Sequence, residues 1–142
     1  MVCGDAVLAG IGAEPNTEWL EGTGLVLDNG VVCDAYLKAV GAECVYAIGD
    51  VARWDDGVRG RTRIEHWTNA GDQAAYVAAT IAGQAPGAPF TSDGYVWSDQ
   101  YDWHIQLAGR SAASGTQTIL VGDPAEHAAV LYADSAGGVP GV

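Results

Sequence analysis

Residues 46–54 read Tyr-Ala-Ile-Gly-Asp-Val-Ala-Arg-Trp, and a carboxylate stands just where an apolar run meets glycine. Asp50 is a short acceptor, and Gly49 leaves room beside it for a ligand. A carboxylate at the end of a strand can accept a hydrogen bond from a ligand hydroxyl, since open α/β sheets bind cofactors at strand ends. Turn formation and helix capping are the plainer uses of an Asp in this setting. Two more stretches hold residues suited to chemistry. Ile64–Asn69, "IEHWTN", places an acid, an imidazole and an indole ahead of a helix. Residues 97–101, "WSDQY", put an indole in a strand, where a flat aromatic can stack on a ring ligand. The indoles could equally be core residues.

These stretches need elements to hold them. Residues 5–11, "DAVLAGI", suggest a buried strand of parallel type, followed by a sharp Gly/Pro/Asn turn. Residues 24–32 hold two β-rich runs around Asp28-Asn29-Gly30, a strong hairpin signal. Residues 43–50, "ECVYAIGD", predict the next strand. Ala70, Ala74, Val77, Ala78 and Ile81 recur on one helical face. Asn69 with Asp72 suggests the N-terminal cap, and Gly83 with Pro86 ends the helix. A Gly/Pro-rich connector over 83–94 is the main expected domain boundary. Beyond it, "YVWSDQYDWHIQLAG", "TQTILVG" and "HAAVLYAD" read as strands of a second, mainly antiparallel unit, and residues 135–142 as turn.

The bulk numbers narrow the class. The chain has 142 residues, 49% of them hydrophobic and 17% charged, which suits a packed domain and not an acidic tail. A net charge of −12 argues against nucleic acid as a partner. Four of the six basic residues, Arg53, Arg59, Arg61 and Arg63, crowd one stretch beside Asp55 and Asp56. That stretch is either a solvated loop or a docking patch for an acidic protein. Cys3, Cys33 and Cys44 form no C-x-x-C pair and read as free thiols, and His66, His104 and His127 lack metal-ligand spacing. No run is long enough to span a membrane and the start lacks a basic leader, so a cytoplasmic location is expected.

Four blocks in order carry a resemblance: "GIGAEPNTEWLEGTGL", "VYAIGDVAR", "IEHWTNAGDQA" and "WSDQYDWHIQLAG". Together they resemble the carboxyl-terminal part of FAD-dependent ferredoxin reductases of the pyridine-nucleotide oxidoreductase superfamily. "YAIGD" marks any flavoprotein with two dinucleotide domains, and "WSDQY" is more specific to this branch.

The resemblance implies an α/β plus α+β fold. Residues 1–16 would be the last strand and exit turn of the NAD-binding domain. Residues 17–86 would be the carboxyl-terminal part of the FAD-binding domain, and 87–142 an incomplete, mainly antiparallel reductase domain. It implies electron transfer from NAD(P)H through FAD to a ferredoxin-type iron–sulfur protein that serves a P450 or Rieske-type oxygenase. Asp50, with Val51, would meet the ribityl or phosphate side of FAD. Trp67 would line the isoalloxazine, Trp97 would lie by the nicotinamide and flavin, and Glu65 could orient the site. Gly12 would sit in the turn between the two dinucleotide domains. Arg59, Arg61 and Arg63 would form the ferredoxin-docking loop. Neither G-x-G-x-x-G fingerprint is present. The chain therefore reads as a piece of something longer, expected to hold FAD weakly or not at all and to be inactive alone. The alternatives are a non-catalytic α/β interaction module and a piece of another NADH-dependent flavoprotein such as a nitrite reductase.

Overall fold

A computed structural model describes residues 4–57, 60–109, 116–123 and 126–134. Cys3, Arg59 and the turn expected over 135–142 lie outside the described residues.

Asn29 (φ 47°) and Gly30 (φ 122°) turn the chain tightly, and Leu27 bridges Val31 across the loop, as the Asn-Gly signal predicts. The strand that follows, β1 (Val31–Cys33), is buried throughout. Its unbroken apolar run fits a strand covered on both faces. β1 pairs in parallel with β2 (Ala52–Asp55), which pairs antiparallel with β3 (Arg61–Thr62). Single bridges join Ala39 to Cys33 of β1 and Lys38 to Tyr46 within the intervening chain.

Two expected strands differ. Residues 5–11 form no ladder, and Val7, Leu8 and Ile11 are almost fully exposed. A strand exists only through its partners, and none of the described residues supplies one here. In 43–50 only Tyr46 makes a bridge. The ladder strand is β2, which starts beyond a 3-10 turn at Gly49–Val51. Gly49 takes φ +70°, which breaks the extended run that the apolar pattern suggests. Asp50 thus precedes the strand instead of ending one.

The helix α1 (Trp67–Ile81) begins three residues earlier than the Asn69 cap implies, with His66 as its uncapped N-cap. Asn69 is already in the first turn and buried. The buried residues are Asn69, Gln73 and Val77; of the expected face Val77 is buried, Ala70 and Ala74 are half-buried, and Ala78 and Ile81 are exposed. The end agrees with expectation. Gly83 (φ +74°) donates to Thr80, and Gln84 donates to Ala79, which is the Schellman pattern.

The core gathers Trp54, Leu37, Val32, Cys33, Ala52, Ile64 and Val77. Phe90, from the middle of the connector, joins it. Its ring sits edge-on to Trp54 (5.7 Å) and Tyr76 (5.6 Å), and its N–H donates to Ala35 at 2.9 Å. Burial of an aromatic of this size contributes about 2–3 kcal/mol, so the connector is pinned to the first unit.

The second unit is made of antiparallel strands, as expected, and they pair as two hairpins. β4 (Val96–Gln100) pairs antiparallel with β5 (Trp103–Leu107), turning through Tyr101 at φ 56°. β6 (Thr116–Asp123) pairs antiparallel with β7 (His127–Ala133), with a register shift between Ile119 and Val121. No helix among the described residues is long and apolar enough to cross a membrane.

Burial raises the Cys33 thiol from 9.0 to about 11. Between those values the unfolded chain binds fewer protons than the folded one, so stability falls as pH rises through the window. Urea denaturation from pH 8 to 11 should show this decline, and Cys33→Ala should remove that part of it. An identical pH profile for the two proteins would contradict the assignment.

Candidate functional site

The helix N-terminus and the start of β4 converge. Thr68 Oγ1 donates to the Tyr95 carbonyl at 2.6 Å, tying the first turn of α1 to the second unit. Tyr95 stacks on Trp97, with centroids 6.0 Å apart and planes 27° apart. Tyr95 also donates its hydroxyl to Gln106 on β5.

Two hollows flank residues 65–66. One of about 580 Å³ is lined by residues 62–66 and by Gly94, Leu107 and Gly109. The other, about 200 Å³, is lined by residues 65–68 and 95–97. Glu65 and His66 face both. Trp67 is 85% exposed and Trp97 41% exposed, so both indoles offer a face at the rim of the smaller hollow.

The polar inventory suits a ring ligand with electron-rich edges. The α1 N-terminus has no side-chain cap and no acid in its first turn, which leaves its N–H groups and positive dipole end available. His66 Nδ1 is buried without a protein partner. Among the described residues no cluster of His, Cys, Asp and Glu could hold a metal ion.

Glu65, Trp67 and Trp97 are therefore brought together. Asp50, Val51 and Gly12 are not: none lines either hollow. Asp50 and the segment of Gly12 connect to Glu65 through Arg63 instead. Arg63 Nη1 donates to the Asp50 carbonyl (3.1 Å), its Nη2 donates to the Ala13 carbonyl (3.2 Å), and it pairs with Glu65 at 2.5 Å. With its side chain only 11% exposed, Arg63 is a clamp and not a free docking charge, a correction to the expected patch. Arg61 is exposed on β3. Arg53 is also engaged, donating to the Asp28 carbonyl and pairing with its carboxylate.

Sequence reasoning missed Gln73. It is fully buried, and its Oε1 accepts the Gly49 N–H at 2.7 Å. The available signal was two amides one helical turn apart, Asn69 and Gln73, in an otherwise slim, alanine-rich helix.

Comparison with known proteins shows the family. The profile of the pyridine nucleotide-disulphide oxidoreductases matches residues 2–74, and the chain belongs to that family. A reductase C-terminal profile matches residues 95–141. Within the family the chain resembles ferredoxin reductases. It is 40% identical to rhodocoxin reductase of Rhodococcus erythropolis over 116 residues, 81% of this chain and 26% of the relative. It is 37% identical over 122 residues to the ferredoxin–NAD(+) reductase component of the anthranilate 1,2-dioxygenase system of Burkholderia cepacia, 85% of this chain and 29% of the relative. The chain thus spans little more than a quarter of the length of these relatives. The crystal structure of Fdr9 superposes with a TM-score of 0.82 at 33% identity, over 99% of this chain and 36% of its own. The reductase in a covalent putidaredoxin reductase–putidaredoxin complex does so with a TM-score of 0.80 at 31% identity, over 96% and 32%.

Gly49 needs its positive φ, and a Cβ there would also reach Ala70 at 3.5 Å. Gly49→Ala should lower unfolding free energy by about 1–2 kcal/mol. An unchanged urea midpoint would contradict the strain assigned to this turn.

Proposed function

We propose that this chain forms the flavin-contacting and electron-exit part of an NAD(P)H-dependent ferredoxin reductase. In this reading electrons pass from NAD(P)H through FAD to a ferredoxin-type iron–sulfur protein serving a P450 or Rieske-type oxygenase. Residues 1–16 belong to the exit from the nicotinamide-binding domain, 17–86 to the FAD-binding domain and 87–142 to the reductase C-terminal domain. The observation that carries the reading is the uncapped N-terminus of α1 opening between Trp67 and Trp97, beside an imidazole nitrogen that lacks a partner.

The described residues fit a flavin. FAD, when bound, supplies hydride acceptance and release of single electrons. The residues of the chain do the rest. The N–H groups and dipole of α1 favour negative charge against its first turn. Trp67 and Trp97 give flat apolar faces that hold a ring and exclude water. Glu65, paired with Arg63, presents a fixed carboxylate at both hollows. The exposed Asp50 carboxylate, with Val51 beside it, accepts a hydroxyl of the ribityl chain. Gly12, at φ +92° and with open space around it, keeps the backbone accessible to the dinucleotide. Arg61, with Arg59, steers the acidic iron–sulfur protein.

Two experiments test this. Co-expressed with a polypeptide carrying the two dinucleotide-binding units of a ferredoxin reductase, the chain should yield a yellow complex that oxidises NADH. Asp50→Ala should weaken flavin retention at least tenfold, on the scale of one lost hydrogen bond to a charged group. A colourless complex, or one whose Asp50→Ala variant keeps FAD as tightly, would refute the reading. In the active complex, Arg59→Glu with Arg61→Glu should slow ferredoxin reduction and flatten its salt dependence. An unchanged, still salt-sensitive rate would remove the docking role.

A further inference from the structure

The turn that carries Asp50 is too short to hold itself. Gly49–Val51 is a 3-10 turn of three residues, capped by the Ala52 N–H on the Gly49 carbonyl, and its first residue is glycine, the residue with the most conformational freedom. Two side chains from distant points grip it. Gln73 takes the Gly49 N–H on one side of the Asp50 residue, and Arg63 takes the Asp50 carbonyl on the other. The Ile48–Gly49 and Asp50–Val51 peptide groups are thereby held, one residue before Asp50 and directly after it, while neither grip touches the Asp50 carboxylate.

The choice of groups fits this task. Gln73 lies on the buried face of α1, where an apolar residue would pack at lower cost. A buried polar group persists when its bond is needed, and a neutral amide is cheaper to bury than a carboxylate. Gln73 Nε2 and Arg63 Nε are buried and unpartnered, so each grip keeps a polar atom out of water for the sake of one directed bond. Arg63 extends the connection to Ala13 and Glu65.

We propose that Gln73 and Arg63 are positioning residues that set the Asp50 carboxylate for its ligand. The role builds on the reading of Asp50 as a flavin contact. The grip itself is a property of this chain and can be measured without flavin.

The test uses the isotopically labelled chain. In the wild type, NMR should detect a coupling through the hydrogen bond from the Gly49 ¹⁵N to the Gln73 side-chain carbonyl carbon. Gln73→Met should speed exchange of the Gly49 amide by about tenfold or more, and Gln73→Glu, which keeps an acceptor, should restore protection. Arg63→Met should shift the Asp50 resonances more than Arg63→Lys does. For flavin, Gln73→Met should weaken FAD binding about tenfold in an Asp50 background and leave Asp50→Asn unaffected. Absence of the coupling with a freely exchanging Gly49 in the wild type would overturn the proposal, and so would Gly49 protection that ignores Gln73→Met. A loosened Gly49 with undiminished FAD affinity would overturn the positioning role. If Gly49 follows Gln73 but the co-expressed complex takes up no FAD, the flavin reading fails and the grip stands.

Discussion

A single buried hydrogen bond, Gly49 N–H to Gln73 Oε1 at 2.7 Å, decides how the two halves of the first unit meet. It joins the turn ahead of β2 to the middle of α1, and at φ +70° that turn favours glycine. Leaving such an amide unpaired inside the protein costs about 1–3 kcal/mol, a large share of the stability of a small domain. Asn69, one helical turn earlier, does the same work for the Ile64 carbonyl, at 3.2 Å. Two directed polar bonds thus tie α1 to the segments that flank β2 and β3, beside the apolar packing of Val77 and Tyr76 in the core.

Around that bond the core is small, and one aromatic cluster dominates it. Trp54, Tyr76 and Phe90 meet edge-to-face, and Phe90 brings the connector back over the sheet. From there the chain runs to β4 already anchored, which is why Tyr95 and Trp97 arrive beside Trp67 and not elsewhere. Core packing and site assembly are two outcomes of the same connector path.

Local chemistry was legible in the residues. The Asn29-Gly30 loop and the Gly83 helix stop rest on backbone angles that few other residues adopt, and both stand as read. The β4–β5 hairpin was legible too, because its two strands are close in sequence and supply each other's partners. Failures came where a partner lies far off. Residues 5–11 have strand composition but no described neighbour. The apolar run before Gly49 concealed the fact that β2 begins only after the turn.

The site shows the same division. Glu65, Trp67 and Trp97 came together because an aromatic at a helix start and one in a strand are local facts with a common neighbour. Arg63 was read as one positive charge among several. Its three engagements reach Ala13, Asp50 and Glu65, and the first two are invisible to spacing. Gln73 was overlooked because an amide in a helix is ordinarily a solvent-facing residue, and only packing shows that it is enclosed.

The most direct test of the flavin assignment is an NMR titration with FAD of the ¹⁵N-labelled chain in complex with an unlabelled polypeptide carrying the two dinucleotide-binding units, following the chain's five tryptophan indoles and its backbone amides. The account predicts that the Trp67 and Trp97 indoles and the Asp50 amide shift together with one apparent affinity, while buried Trp54 and Trp19, which lines neither hollow, stay in place. Movement of the two indoles without Asp50, or movement centred on Trp19, would contradict it.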